Sequence, residues 1–346
     1  FATRSTFSSL HCRPLNEIAL GVALAASMHS MVVSAQSSSD VIEEVVVWGR
    51  SLQLLGSADS SSQGVVGYAD FSTRPLARVG ELVEVVPGMI ATQHSGPGKA
   101  NQYFLRGFNL DHGSDFSTFF DGMPVNFRTH AHAQGYMDLN FIIPEIIERI
   151  DFKKGPYFAN TGDFSLAGTN SMKTYDTLER GFVEVTAGSG DEIRIVAADS
   201  FSTERGSLLY ALEHQRTNGM FVLDQDVRKY NGLLKYTGEI AGIPSQLTLT
   251  AYDSEWVSTN QVPRRAVASG QIDRFGFIDP DLGGQSYRYS LSGHFELGNW
   301  DLTAYASAYA LSLINNPTYF LNDSVNGDEF EQEDERVLLG GSIVRE

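Results

Sequence analysis

From about residue 181 onward the chain is a succession of short segments in which apolar and polar side chains alternate. Tyr287, Tyr289, Leu291, Gly293, Phe295 and Leu297 interleave with Arg288, Ser290, Ser292, His294 and Glu296. Leu247, Leu249 and Ala251 interleave in the same way with Thr248, Thr250 and Tyr252, and 302–313 is small and apolar on one face with Thr303, Tyr305, Ser307 and Tyr309 on the other. Successive side chains of a strand point to opposite faces. Each segment would therefore carry a polar inner face and an apolar outer face over ~10 residues, the length of a strand that crosses a membrane. The connections agree: the second, fourth and sixth (202–206, 239–242, 298–299) are short, and the third, fifth and seventh (217–225, 258–285, 314–330) are longer. The first, 189–191, is short where a loop was allowed. A membrane barrel sorts its connections by side in this way, whereas a soluble sandwich has no reason to.

Helical crossing is excluded after the N-terminal region, because no apolar run there reaches the ~18 residues required. At the N-terminus, Arg4 and Arg13 precede an apolar run at 18–26, and Val33-Ser34-Ala35 places small residues at a cleavage position. Residues 1–35 thus read as a signal peptide with maturation near Gln36, which implies export. The single cysteine, Cys12, falls in that leader, so disulfides and cysteine ligation are excluded from the expected mature chain. A formal net charge of −17 argues against nucleic acid as a partner.

Between these regions lie four fragments in order: Phe104-Leu105-Arg106-Gly107-Phe108, Phe119-Phe120-Asp121-Gly122-Met123-Pro124, Ile142-Ile143-Pro144-Glu145-Ile146-Ile147-Glu148-Arg149-Ile150, and Lys153-Lys154-Gly155-Pro156-Tyr157. Asp121-Gly122 predicts a two-residue hairpin turn with positive φ at both positions. Pro144 followed by Glu145 predicts a short helix through Arg149. Ile150 and Phe152 predict a strand that Gly155-Pro156 ends. Upstream, Thr73-Arg74-Pro75 opens an expected helix with Leu76, Val79, Leu82, Val83 and Val86 at helical spacing, closed by Pro87-Gly88. The stretch 93–101, with Gly96, Pro97 and Gly98, reads as a loop. Taken alone, these signals describe a small mixed α/β unit.

In this order and spacing the fragments resemble the plug domain of TonB-dependent outer-membrane receptors. Arg106, Gly107, Asp121, Gly122, Pro124, Glu148, Arg149, Gly155 and Pro156 occupy the motif positions. The resemblance implies a mixed α/β plug domain at 68–175 followed by antiparallel transmembrane β-barrel strands over 178–346, about eight of the roughly 22 with which plugged transporters close. The chain stops inside an expected strand, so a C-terminally truncated fragment is expected. Residues 36–67 are expected to be a box and a Ser/Gly-rich linker. Within them Glu43, Glu44, Val45, Val46 and Val47 make a β-branched run flanked by charges, a strand in need of a partner edge. It is similar to the family's TonB box, and its other reading is the first strand of the plug. With only a few residues expected between leader and box, transport without a periplasmic signalling domain is expected.

The resemblance further implies the outer membrane of a Gram-negative bacterium, with lipid around the wall. The implied partners are the TonB energy-coupling protein with its ExbB/ExbD motor and an extracellular ligand such as a siderophore or metal ion; no cofactor is implied. Candidate ligand contacts are His112, Arg128, His130, His132 and Tyr136. In extended backbone His130 and His132 would share a face ~7 Å apart, able to share a metal ion or line one polar pocket, or else to serve as solvated loop residues. A passive porin or structural barrel is the rival from another class. An enzyme is disfavoured, since neither a zinc helix of the H-E-x-x-H type nor a G-x-S-x-G elbow is present.

Overall fold

The computed structural model describes residues 60–345 apart from 61, 76, 77 and 95, so the expected leader and the box at Glu43, Glu44, Val45, Val46 and Val47 lie outside the described residues. Strand β1 (Gln63–Gly67) opens the described chain, followed by a single helical turn α1 (Tyr68–Phe71) and a 3₁₀ segment at Val79–Val85. Strands β2 (Met89–Thr92), β3 (Gln102–Leu105) and β4 (Phe108–Asn109) form a small sheet. Strands β5 (Phe116–Phe120), β6 (Met123–Pro124), β7 (Ile147–Lys154) and β8 (Gly168–Thr174) join β1 in a second sheet ordered β1-β7-β8-β5-β6.

The Asp121-Gly122 hairpin forms as expected, with φ of 43° and 81°, and it pairs Phe120 with Met123. Pro124 is tolerated because β6 is an edge strand, where a missing N–H costs no ladder bond. Arg106-Gly107 makes a second such turn, with φ of 53° and 81°, between the paired Leu105 and Phe108.

Three expectations need correction. The helix expected through Arg149 is a 3₁₀ turn of only Pro144–Ile146, and Ile147 already begins β7. β-Branched Ile147 and Ile150 fit a pleated, half-buried surface, and β7 finds partners on both sides, β1 and β8. The helix expected from Thr73 is likewise a 3₁₀ segment that begins at Val79, although Val79, Leu82, Val83 and Val86 are buried as anticipated. The last residues of the expected linker form β1, pairing Gln63 through Gly67 with Lys153 through Arg149. Gly64 lies under the Phe152 ring, where a Cβ would come within 2.9 Å.

The wall follows: β9 (Phe182–Gly188), β10 (Glu192–Thr203), β11 (Gly206–Thr217), β12 (Val227–Ile240), β13 (Ile243–Val257), β14 (Gly283–Leu297), β15 (Trp300–Asn315) and β16 (Phe330–Arg345). They pair in sequence as one eight-stranded antiparallel sheet. The turns 204–205, 241–242 and 298–299 gather at one end, and the loops 218–226, 258–282 and 316–329 at the other. Among the described residues no helix is long and apolar enough to cross a membrane.

The two faces of the wall are inverted relative to a soluble sheet. Leu249 and Leu291 are about half exposed on the outside, and Val337 and Leu339 more so, whereas Thr248, Thr250, Ser290, Ser292 and Arg288 are buried. Those polar residues are buried because the plug lies against them, its core residues Phe120, Phe141, Ile142, Ile146 and Ile150 joining Val196, Ala198, Leu209, Ala211 and Tyr252 of the wall in one cluster. Each Phe, Ile, Leu or Val side chain removed from water in that cluster contributes about 1.5–3 kcal/mol.

Candidate ligand site at the plug apex

Two polar layers tie plug to wall, and a third sits under the long loops. The first layer centres on Arg194 of β10, which donates to both carboxylate oxygens of Glu145 at 2.5 and 2.9 Å and to Glu213 at 2.6 Å. Lys229 completes a charge-balanced quartet at 3.0 Å from Glu213. In the second, the Asp121 carboxylate accepts from the Thr174 N–H at 3.0 Å and its hydroxyl at 2.6 Å, while Lys235 donates to the Thr174 carbonyl at 3.0 Å. The motif Asp therefore shapes a turn and caps β8 as well.

The third layer is the apex. The 127–134 segment reaches the first residues of β16, next to the long 316–329 loop: the Ala131 N–H donates to Asp334 at 2.9 Å, Gln332 donates to the Ala131 carbonyl at 2.8 Å, and Arg336 donates to the Thr129 carbonyl. This loop is irregular rather than extended, so His130 and His132 do not act as a strand pair. The His130 ring stacks on Tyr136 at 3.8 Å, accepts the His132 N–H at Nδ1 (3.1 Å) and donates from Nε2 to the Tyr309 hydroxyl (3.2 Å). Both of its nitrogens are occupied. Tyr136 is fully buried, and its hydroxyl accepts from the Ala100 N–H at 2.9 Å. Arg128 stands in solvent on Asp163 at 3.0 Å.

His132 turns instead toward His112, twenty residues earlier, with Nε2 atoms 3.2 Å apart. The Lys99 ammonium lies 3.0 Å from His132 Nε2, and the His94 ring lies 5.2 Å from that of His112. Burial first, then the neighbouring charges of His132, Lys99 and His94, hold His112 down at about 3. Burial and Lys99 hold His94 and His132 at about 4. Burial also lowers Lys99 to about 8, with Asp111 opposing. The apex is therefore a cluster of neutral imidazoles beside one buried cation.

Lys99 and His94 were not among the residues singled out from sequence. The available signal was Gly96-Pro97-Gly98: a Cβ on Gly98 would collide with the Trp256 ring of β13, so only glycine lets this loop press on the wall and aim Lys99 inward. Among the described residues the group of three or more ligand-type side chains whose donor atoms already converge is elsewhere, at Asp279, Asp281 and Glu329 in the long loops.

Comparison with known proteins agrees with this architecture. Residues 57–169 match the TonB-dependent receptor plug domain. The chain is 28% identical over 216 residues to the vitamin B12 transporter BtuB of Vibrio vulnificus (strain CMCP6), covering 61% of this chain and 31% of that protein. Solved structures share the fold. These include the ferric citrate transporter FecA in its unliganded form (TM-score 0.59, 18% identity, 74% of this chain and 41% of that one). The ferric yersiniabactin uptake receptor FyuA of Yersinia pestis gives a TM-score of 0.54 at 18% identity, over 73% and 41%. A mutant ferric enterobactin receptor of Pseudomonas aeruginosa in complex with enterobactin gives 0.53 at 15% identity, over 82% and 46%. The chain thus spans less than half the length of each. The chain thus carries a TonB-dependent receptor plug domain at residues 57–169, seated on an inverted antiparallel wall whose fold these solved receptors share.

Proposed function

We propose that this chain is the plug and first wall segment of an energy-coupled transporter in the outer membrane of a Gram-negative bacterium. It binds a scarce ligand, a siderophore or metal ion, on the side of the long loops and imports it when the TonB protein, driven by ExbB/ExbD, pulls on the box at 43–47. In domain terms, 1–35 is the leader, the plug takes in β1 as well as 68–175, and the wall occupies 178–346. The observation that carries the reading is the inverted wall: its polar face is filled by a plug whose nitrogen-rich apex lies at the long-loop end. Apolar residues facing outward suit lipid, and a plug held by discrete ion pairs suits a gate. The relatives point the same way, being receptors or transporters of vitamin B12 and of ferric chelates. No catalytic chemistry is assigned.

The test is Val46→Pro in the receptor expressed in an outer membrane. Proline removes a ladder N–H from a strand that must pair with TonB, so ligand still binds at the cell surface while uptake falls to the level of a strain lacking TonB. Uptake at the normal rate in the variant would favour the passive porin.

A further inference from the structure

Each nitrogen of the His112 and His132 rings has an assignable role. His112 Nδ1 faces two backbone carbonyl oxygens, Ala100 and Asn101, each at 3.0 Å. Carbonyls only accept, so this nitrogen carries the proton and Nε2 carries the lone pair. His132 Nδ1 faces Oε1 of Gln332 at 2.9 Å. The Gln332 amide cannot be turned round, because its Nε2 donates to the Ala131 carbonyl. His132 Nδ1 is therefore also the donor, and its Nε2 is also a lone pair. Two lone pairs thus face one another across 3.2 Å. Moving either ring's proton to Nε2 would leave a bare Nδ1 against an acceptor oxygen. The Lys99 ammonium, 3.0 Å from His132 Nε2, is the cation the structure places at this point.

This arrangement has the features of a metal site. Two imidazole nitrogens at ~2.0–2.1 Å from one ion lie about 2.9–3.4 Å apart for right-angle to tetrahedral geometry, and 3.2 Å falls within that range. Rings that ligate through one nitrogen characteristically donate from the other to a carbonyl or similar oxygen, which fixes tautomer and orientation. Imidazole donors suit zinc, copper, nickel and iron rather than magnesium or calcium. The Asp111 carboxylate, 3.8 Å from His112 Nε2 and half exposed, is a further donor at hand.

We propose that His112 Nε2 and His132 Nε2 bind a late first-row divalent metal ion, and that Lys99 occupies the ion's place until it arrives. The inference rests on the receptor reading only in naming a ligand class for it. With two protein donors the ion keeps open positions, so it can enter as an aqua ion or still carrying part of a chelate. Charge sets the order of events: an incoming dication and the Lys99 ammonium compete for the same lone pair, so the lysine side chain must swing away.

The test is titration of the purified, tag-free, full-length receptor in detergent with Zn²⁺ or Cu²⁺ alone, with electron paramagnetic resonance on the copper form. Expected are one ion per chain at this site, a copper spectrum with two nitrogen donors, and at least 10-fold weaker binding in His112→Gln and in His132→Gln. Lys99→Met, which removes the competing cation, should tighten binding at least 10-fold. That gain cannot come from a misfolded variant or a merely structural histidine cluster. Affinity unchanged or weakened in Lys99→Met, or unchanged in both histidine variants, overturns the proposal. Uptake assays in cells separate the two readings: import with no metal site retains the transporter and removes the site, whereas a metal site without TonB-dependent import does the reverse.

Discussion

Arg194→Met should release the plug from the wall. The four charges of this layer, Arg194, Glu145, Glu213 and Lys229, are each no more than 5% exposed and sum to zero. Both described hydrogen bonds to Glu145 come from Arg194, so the substitution leaves a buried carboxylate uncompensated, while Glu213 keeps Lys229 at 3.0 Å and Asn231 at 2.7 Å. Removing one partner of a buried pair costs about 3–5 kcal/mol. Glu145→Gln keeps an acceptor and leaves Arg194 on Glu213, so it should lose only about 1.5–3 kcal/mol, the worth of a hydrogen bond to a charged group. The double variant Arg194→Met with Glu145→Leu buries no charge at this contact, and its cost should fall well below the sum of the single changes. The assay is backbone hydrogen exchange in the intact receptor at the amides of Ile146 and Tyr175, which bond to the Ile143 and Ile146 carbonyls beside the lock. Where exchange follows the open population, 3–5 kcal/mol corresponds to acceleration by about 10²–10³-fold or more. Acceleration below about threefold in Arg194→Met, or strict additivity in the double variant, would refute the lock.

Two further outcomes follow from the same geometry. Leu291, half exposed at the middle of β14 and paired with Leu249 and Ala306, should tolerate arginine poorly: Leu291→Arg should cost about 2–4 kcal/mol of folding free energy in a bilayer. Denaturant titration in vesicles that shows no loss would mean this face does not meet lipid. In acid, the metal-free apex should loosen. An unfolded histidine with a pKa near 6.5 takes up a proton that buried His112 and His132 refuse until about 3 and about 4. Their contribution is therefore intact above pH 6.5 and shrinks as pH falls toward those values, by about 2 kcal/mol each at pH 5. Asp138, raised by burial to about 6, opposes this by gaining a proton in the folded state over part of the same range. Exchange protection of the Ala131 amide, bound to Asp334, should drop between pH 7 and pH 5, and equal protection at both would contradict neutral buried imidazoles.

The division between local and distant determinants runs through particular residues. The wall was legible because its determinants are local: a period of two in Leu247 through Ala251 or Tyr287 through Leu297 dictates a face, and connection lengths dictate which end a turn occupies. The Asp121-Gly122 turn was legible for the same reason, since two adjacent residues that accept positive φ suffice to define it. Residues 147–149 are strand rather than helix because the two compete closely there, and the outcome depends on β1 and β8 arriving on either side of Ile147 through Lys154. The apex shows the limit most clearly. Spacing pairs His130 with His132, and proximity in the chain lets His112 converge on them; the fold sets the His130 ring on Tyr136 and brings only His132 to His112. Lys99 joined them across 33 positions, and Glu145 met Arg194 across 49. Hydrophobic alternation and turn chemistry act over a few residues and were determined by the sequence alone. Which buried charge or imidazole meets which depends on how plug and wall pack, and in that low-dielectric interior only the tertiary structure decided the partners.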